Sequence, residues 1–526
     1  MKRRAFLGSA AALAAQTAAP RRTAFELEEL SISDLAVGMA QGRWTSQRLV
    51  EMYLGRINAI DRNGPRLGAA IELNPDAASI AEQLDRERKQ GRVRGALHGI
   101  PVLVKDNIDT ADKMSTTAGS LALDGWHPPQ DSFVAARLRA AGAVILGKTN
   151  LSEWANFRSA HSVSGWSGRG GQTRCPYALH RNPSGSSSGS GAAVAASLCA
   201  VAIGTETDGS VVSPSSINGL VGVKPTVGLI SRAGIIPISS SQDTAGPMAR
   251  TVRDAAILLS ALTGVDPNDP ATVASQGNTQ PDYLKFLDPG GLRGARLGIA
   301  RKFFARNAEM DAFLNQCIDA LKHGGAEIVD PADLPSHGKW DSPENPVLLY
   351  EFKAGINAYL ARLPAKRHPR TLAEIIDFNE KNRAREMPYF GQEVFIDSET
   401  KTPTEEKYRD ARKDCIRFTR TEGIDAVMDA NKLDAIVTLT NGPACLIDWV
   451  GGDSDTGGCS SPPAIAGYPH VTVPAGLYRG LPIGLSFFGK AWSEAVLLRL
   501  AFAYENATKA RRKPKFLDGC EIPAQS

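Results

Sequence analysis

Cysteine is scarce in this 526-residue sequence: seven, an odd number, widely spaced at positions 175, 199, 317, 415, 445, 459 and 520. No C-x-x-C pair occurs, so a disulfide framework and a zinc site are both excluded. Cys445 and Cys459 flank a Gly- and Asp-rich loop and are the one pair that an oxidising compartment could bridge. A marked excess of either charge is also missing. Sixty Lys plus Arg stand against 56 Asp plus Glu, a net charge of +4, which gives no electrostatic case for a nucleic-acid partner. No apolar run reaches the roughly 18 to 20 residues needed to cross a bilayer, so no stable membrane insertion is expected. What is present is an ordinary globular composition, 42% hydrophobic and 22% charged, which rules out wholesale disorder. Fifty Gly and 32 Pro imply many tight connections.

The first residues have the layout of an export signal. Lys2, Arg3 and Arg4 form a basic stretch, Phe6 to Ala15 is a short apolar one, and small residues continue to Ala19. The Arg3-Arg4 pair followed by Ala5-Phe6-Leu7 resembles a twin-arginine signal, which implies delivery of a folded protein to the periplasm or the exterior. We therefore expect residues 1–19 to be an address and 20–526 the functional unit; the alternative is an exposed basic helix on a cytoplasmic protein.

Between Phe25 and Arg94 the pattern is helical, with Thr45 as N-cap and Leu49, Met52, Tyr53, Ile57 and Ile60 at helical spacing. Short apolar runs then alternate with helical stretches. They are Pro101 to Val104, Ala143 to Leu146, Val201 to Ile203, Leu297 to Ala300, Asp434 to Val437, Val471 to Pro474 and Ile483 to Phe488. Fully apolar strands between helices predict an α/β fold, a single large domain with a central mixed β-sheet covered by helices on both faces. Residues 303–430 are richer in charge and helical in pattern, as in Leu348 to Leu363, and are expected to be a peripheral insertion.

Three motifs are decoys. Gly142 to Thr149 spells G-x-x-x-x-G-K-T, but Gly142 sits where a helix C-cap glycine belongs and Ala143 to Leu146 is itself the strand. Its N–H groups are therefore committed to the sheet. Gly185-Ser186-Ser187-Ser188-Gly189 fits G-x-S-x-G, a motif that needs a later acid and histidine. His470 is the only attractive candidate, and a histidine beside a buried strand is more often structural. Ser336 to Lys339 spells S-x-x-K, but Pro335 before it and Gly338 within it deny it a helix.

Residues 184–191 read Ser-Gly-Ser-Ser-Ser-Gly-Ser-Gly, the composition of a linker. They run directly into a small-residue helix, the core strand Val201 to Ile203, and then Gly204-Thr205-Glu206-Thr207-Asp208-Gly209-Ser210. Serines and glycines inside a core let backbone approach a ligand and turn N–H groups into a cavity. The run from Gly185 through Pro214 resembles the signature of the amidase signature family of serine hydrolases. Pro101 to Asn107, Gly147 to Glu153, Lys224 to Gly228, Asp243 to Met248 and Gly467 to Pro469 extend the likeness, with a signature core at about 95–260. Within the family the wording is most similar to the peptide amidases, which share Asp208 where most relatives have glycine and Val212 where most have arginine.

The resemblance implies a Ser-Ser-Lys triad of Lys105, Ser186 and Ser210, with no metal or cofactor and a cis peptide bond before Ser186. Ser210 would form an acyl-enzyme. Lys105, at the end of an apolar strand, would be buried enough to lose its proton, and Ser186 would relay it. The backbone N–H groups of Thr207, Asp208, Gly209 and Ser210 are the candidate oxyanion donors. The Asp208 carboxylate is expected to turn away from them. Ser115, Thr116, Asn156 and Trp166 are candidate substrate-binding residues. The implied reaction is deamidation of the C-terminal carboxamide of peptides. Alternatives are hydrolysis of small aryl or aliphatic acyl amides and a catalytically silent amide-binding protein of the envelope. The component of the tRNA amidotransferase that shares the signature is disfavoured by the export signal.

Overall fold

The computed structural model describes residues 25–304, 308–364 and 366–520; the export signal expected at 1–19 lies outside them. Thirteen strands run in chain order: β1 (Ala70–Leu73), β2 (Pro101–Lys105), β3 (Val144–Thr149), β4 (Trp166–Ser167), β5 (Gly171–Gln172), β6 (Val201–Glu206), β7 (Val221–Lys224), β8 (Thr244–Ala249), β9 (Arg296–Ile299), β10 (Glu327–Val329), β11 (Ala435–Leu439), β12 (His470–Tyr478) and β13 (Leu481–Phe488). Eleven of them form one sheet in the order β1-β3-β2-β6-β8-β7-β12-β13-β11-β9-β10, while β4 and β5 make a small separate hairpin.

The sheet is mixed. β2 runs parallel to β3 and β6, and β9 parallel to β10 and β11; the remaining pairs are antiparallel. All seven sequence-predicted strands are present. β2, β3, β6, β7, β8, β11 and β13 are buried along their whole length, as apolar strands covered on both faces must be. The predicted N-cap is also there, Thr45 Oγ1 accepting from Arg48 N at the head of the helix Ser46–Arg56.

Parallel β2 and β6 deliver the ends of their chains to the same edge of the sheet, where open α/β folds place their sites. Lys105 is the last residue of β2, and the segment 207–210 follows β6 directly. Antiparallel β8 starts at that edge, so Asp243 arrives beside Thr207. The charged span 303–430 is more engaged than a peripheral insertion. It contributes the edge strand β10, and its helix Asp341–Leu360 leans on the loop before β8 through Glu344 to Gln242 and Glu351 to Ser241.

Candidate active site

Lys105 is fully buried, and its Nζ donates to Ser186 Oγ at 2.8 Å, to Thr205 Oγ1 at 2.9 Å and to Thr205 O at 3.1 Å. Asn107 Nδ2 also donates to Thr205 Oγ1, at 3.0 Å, fixing that hydroxyl from the other side. Burial pulls the Lys105 pKa down to about 7, against an upward pull from the Glu206 and Asp243 carboxylates. Asp106, the neighbour that could have held Lys105 as a plain ion pair, is instead occupied by Thr117 Oγ1 and Gly119 N.

Ser186 is fully buried and follows a cis peptide bond to Gly185. The two serine segments are stitched together, because Ser187 N donates to the Ser210 carbonyl at 3.2 Å. Ser187 Oγ accepts from Thr205 N and donates to Thr205 O, and Ser188 Oγ donates to Ser184 O. Those two serines are structural stitches. A Cβ at Gly189 would lie 2.3 Å from Ala69 O and 2.5 Å from Asn150 O, which explains why so small a residue recurs in a packed loop.

Ser210 keeps 8% of its surface exposed at the start of the turn into the helix Val212–Ile217. Glu206 Oε2 accepts from both Val211 N and Val212 N and so caps that helix. The N–H groups of residues 207–210 donate to no acceptor among the described residues. Gly209 has φ +77, a left-handed conformation, and a Cβ there would sit 2.9 Å from Ser460 Oγ. The strand-to-turn geometry therefore leaves four adjacent donors beside one hydroxyl.

Asp208 turns its carboxyl to Ser460 and Ser461, and burial raises its pKa. Glu344, close to Asp208, is pushed up to about 8 first by burial and then by the Asp208 charge. Thr207 Oγ1 donates to Asp243 Oδ1 at 2.6 Å, and Asp243 also accepts from Ile238 N and Ser239 N. Thr205, Asn107, Glu206 and Asp243 escaped the sequence reading as site residues. Their only signal was membership of the quoted motifs.

The four substrate-binding candidates are elsewhere. Thr116 accepts from Lys148 Nζ at 2.8 Å, and Ser115 N donates to Glu72. Trp166 packs with Val163 and Phe390 beneath the Arg158 guanidinium. Asn156 is half-buried with φ +72. None of them lines the cleft of about 550 Å³ that includes Ser184 and Ser213, nor the smaller cavity of about 210 Å³ at Asn107 and Thr205.

The decoys resolve as expected. Lys148 of the phosphate-loop look-alike lies inside β3 with its Nζ on Ile108 O and Thr116 Oγ1. His470 is fully buried on Ser486 Oγ at 2.6 Å, and burial drives its pKa to about 3. All seven cysteines are free thiols, Cys445 and Cys459 included.

A match to the amidase family spans residues 48–498. The chain belongs to the amidase family. The family assignment makes the protein an amide hydrolase, and other comparisons agree. The chain is 46% identical to a "Probable amidase" of Arabidopsis thaliana over 94% of this chain and 93% of that one. The crystal structure of native peptide amidase from Stenotrophomonas maltophilia superposes with a TM-score of 0.89 at 52% identity, covering 94% of this chain and 100% of that one. A peptide amidase in complex with the competitive inhibitor chymostatin superposes equally well. An amidase family protein from Bacillus anthracis superposes with a TM-score of 0.85 at 36% identity, covering 93% of each chain.

Proposed function

We propose that the protein removes the C-terminal carboxamide of peptides as ammonia, using Ser210, Ser186 and Lys105 as nucleophile, relay and base. The observation that carries the mechanism is the 2.8 Å contact between a buried amine with a pKa near 7 and the Ser186 hydroxyl. At pH 7 roughly half of such an amine is neutral. It accepts the Ser186 proton while Ser186 accepts that of Ser210, and Ser210 Oγ adds to the amide carbonyl carbon. The N–H groups of residues 207–210 take the oxyanion; one such donor contributes about 3 kcal/mol to the barrier. Ser186 then returns a proton to the leaving nitrogen as the C–N bond breaks. Water attacks the resulting ester through the same relay and frees the acid.

The likeness to peptide amidase supports the peptide carboxamide over small acyl amides. Ammonia release across peptide amides, aryl amides and free amino-acid amides tests this: fastest turnover on peptide amides is expected, and turnover confined to small amides would overturn it. Labelling by a fluorophosphonate probe tests the nucleophile. It should vanish in Ser210→Ala; persistent labelling there would reassign the nucleophile, and no labelling of the wild type would favour the silent amide binder. We also infer export directed by residues 1–19, supported by the Arg3-Arg4 pair and the apolar stretch behind it. Cell fractionation with N-terminal sequencing should find a shortened chain outside the cytoplasm, whereas an intact cytoplasmic chain would contradict it.

A further inference from the structure

The 550 Å³ cleft adjoins the serine loops through Ser184 and Ser213, two residues before Ser186 and three after Ser210. Its lining has a consistent chemistry. Asp341, Asp453 and Asp455 are exposed along it, and no lysine or arginine among the described residues lines it. Asp453 is held by Ser164 N at 3.1 Å and Asn182 Nδ2 at 2.8 Å, and Asp455 Oδ1 by Gly457 N at 2.8 Å. These carboxylates are therefore ordered before any ligand arrives.

Two further observations point the same way. Phe303, His337 and Trp340 form an aromatic wall, with edge-to-face centroid distances of 4.8 and 5.6 Å. Asn441, also on the lining, is 8% exposed and donates Nδ2 to Ser213 Oγ at 3.1 Å, while its Oδ1 has no hydrogen-bond partner. Ordered carboxylates, aromatic faces and an unfilled carbonyl acceptor are together the complement of an ammonium or guanidinium group.

We infer that this cleft receives a positively charged group of the substrate, so that the enzyme selects amides of basic peptides. The inference rests on the peptide-amide reading and adds a charge class to it. The test is ammonia release by the full chain from N-acetylated tripeptide amides that carry Lys, Gln or Glu at each position in turn. At one position the Lys peptide should exceed its Gln counterpart about tenfold in kcat/KM, equivalent to about 1.4 kcal/mol, with the Glu peptide slower still. The Lys-to-Gln ratio should fall below about threefold in Asp341→Asn/Asp455→Asn and in high salt, and should survive in the exposed control Asp319→Asn. Equal rates for Lys, Gln and Glu at every position, or a ratio unchanged in the double variant, would overturn the inference and leave the peptide reading standing. Release from small amides with none from any peptide amide would overturn both.

Discussion

Lys105 and Lys148 stand on neighbouring parallel strands, one register step apart, since Val104 of β2 pairs with Lys148 of β3. Both are fully buried, and each donates to one backbone carbonyl, Lys105 to two side-chain hydroxyls besides and Lys148 to one. Burial lowers both pKa values. The difference lies in what surrounds the amines. Four carboxylates, of Asp106, Asp109, Asp112 and Glu72, act on Lys148 to keep its charge, whereas only those of Glu206 and Asp243 act on Lys105. The hydroxyls differ too: that of Thr116 leads back to Ile108 O, while that of Ser186 belongs to the loop stitched to Ser210. One residue type at one depth thus yields a structural amine on β3 and, in our reading, a base on β2.

The sharpest way to break this comparison is to remove each amine in turn. Lys105→Ala should lower kcat/KM by about a thousandfold or more with a near-native unfolding curve. Retained turnover near pH 7 would deny Lys105 its role. Lys148→Ala should do the opposite. It takes the donor from the buried Ile108 O and Thr116 Oγ1 and should cost about 1–3 kcal/mol in denaturant unfolding, while the folded fraction still reacts with a fluorophosphonate. A smaller change sharpens the electrostatic half of the argument. Glu206→Gln removes a charge that raises the Lys105 pKa, so the acid limb of the pH–rate profile should move below pH 7 by about half a unit to one unit. A limb that moves up would reverse the assigned sign. The smallest effect is expected at Ser187→Ala, which loses two hydrogen bonds to Thr205 and should cost about 1–2 kcal/mol with labelling of Ser210 intact.

The strands that could be read from sequence are those whose side chains meet helices on both faces, such as Pro101 to Val104 and Ile483 to Phe488. β8 was invisible because it carries Gly246 and Pro247 in a central position, where proline normally argues against a strand. Its glycine is required by a neighbour, since a Cβ there would lie 2.2 Å from Val223 O. β10 is too short and too charged to show a period. The Lys105–Ser186 contact spans 81 residues of sequence, beyond the reach of any local pattern, and only the family resemblance brought those residues together. The turn after β6 was half legible: Gly209 announces the bend, but nothing local shows that Glu206 takes the N–H groups of Val211 and Val212. The cleft acids were not legible at all, because Asp341 lies far along the chain from Asp453 and Asp455 and only the fold brings them to one surface.

The most direct test of the account is the pH dependence of kcat/KM between pH 5 and pH 9 on a peptide amide without ionisable side chains. Protonation of Lys105 removes the base, so the rate should be level at high pH, bend near pH 7 and then fall about tenfold per unit toward pH 5. A rate that stays constant across the whole range would contradict the claim that an uncharged buried lysine starts the reaction.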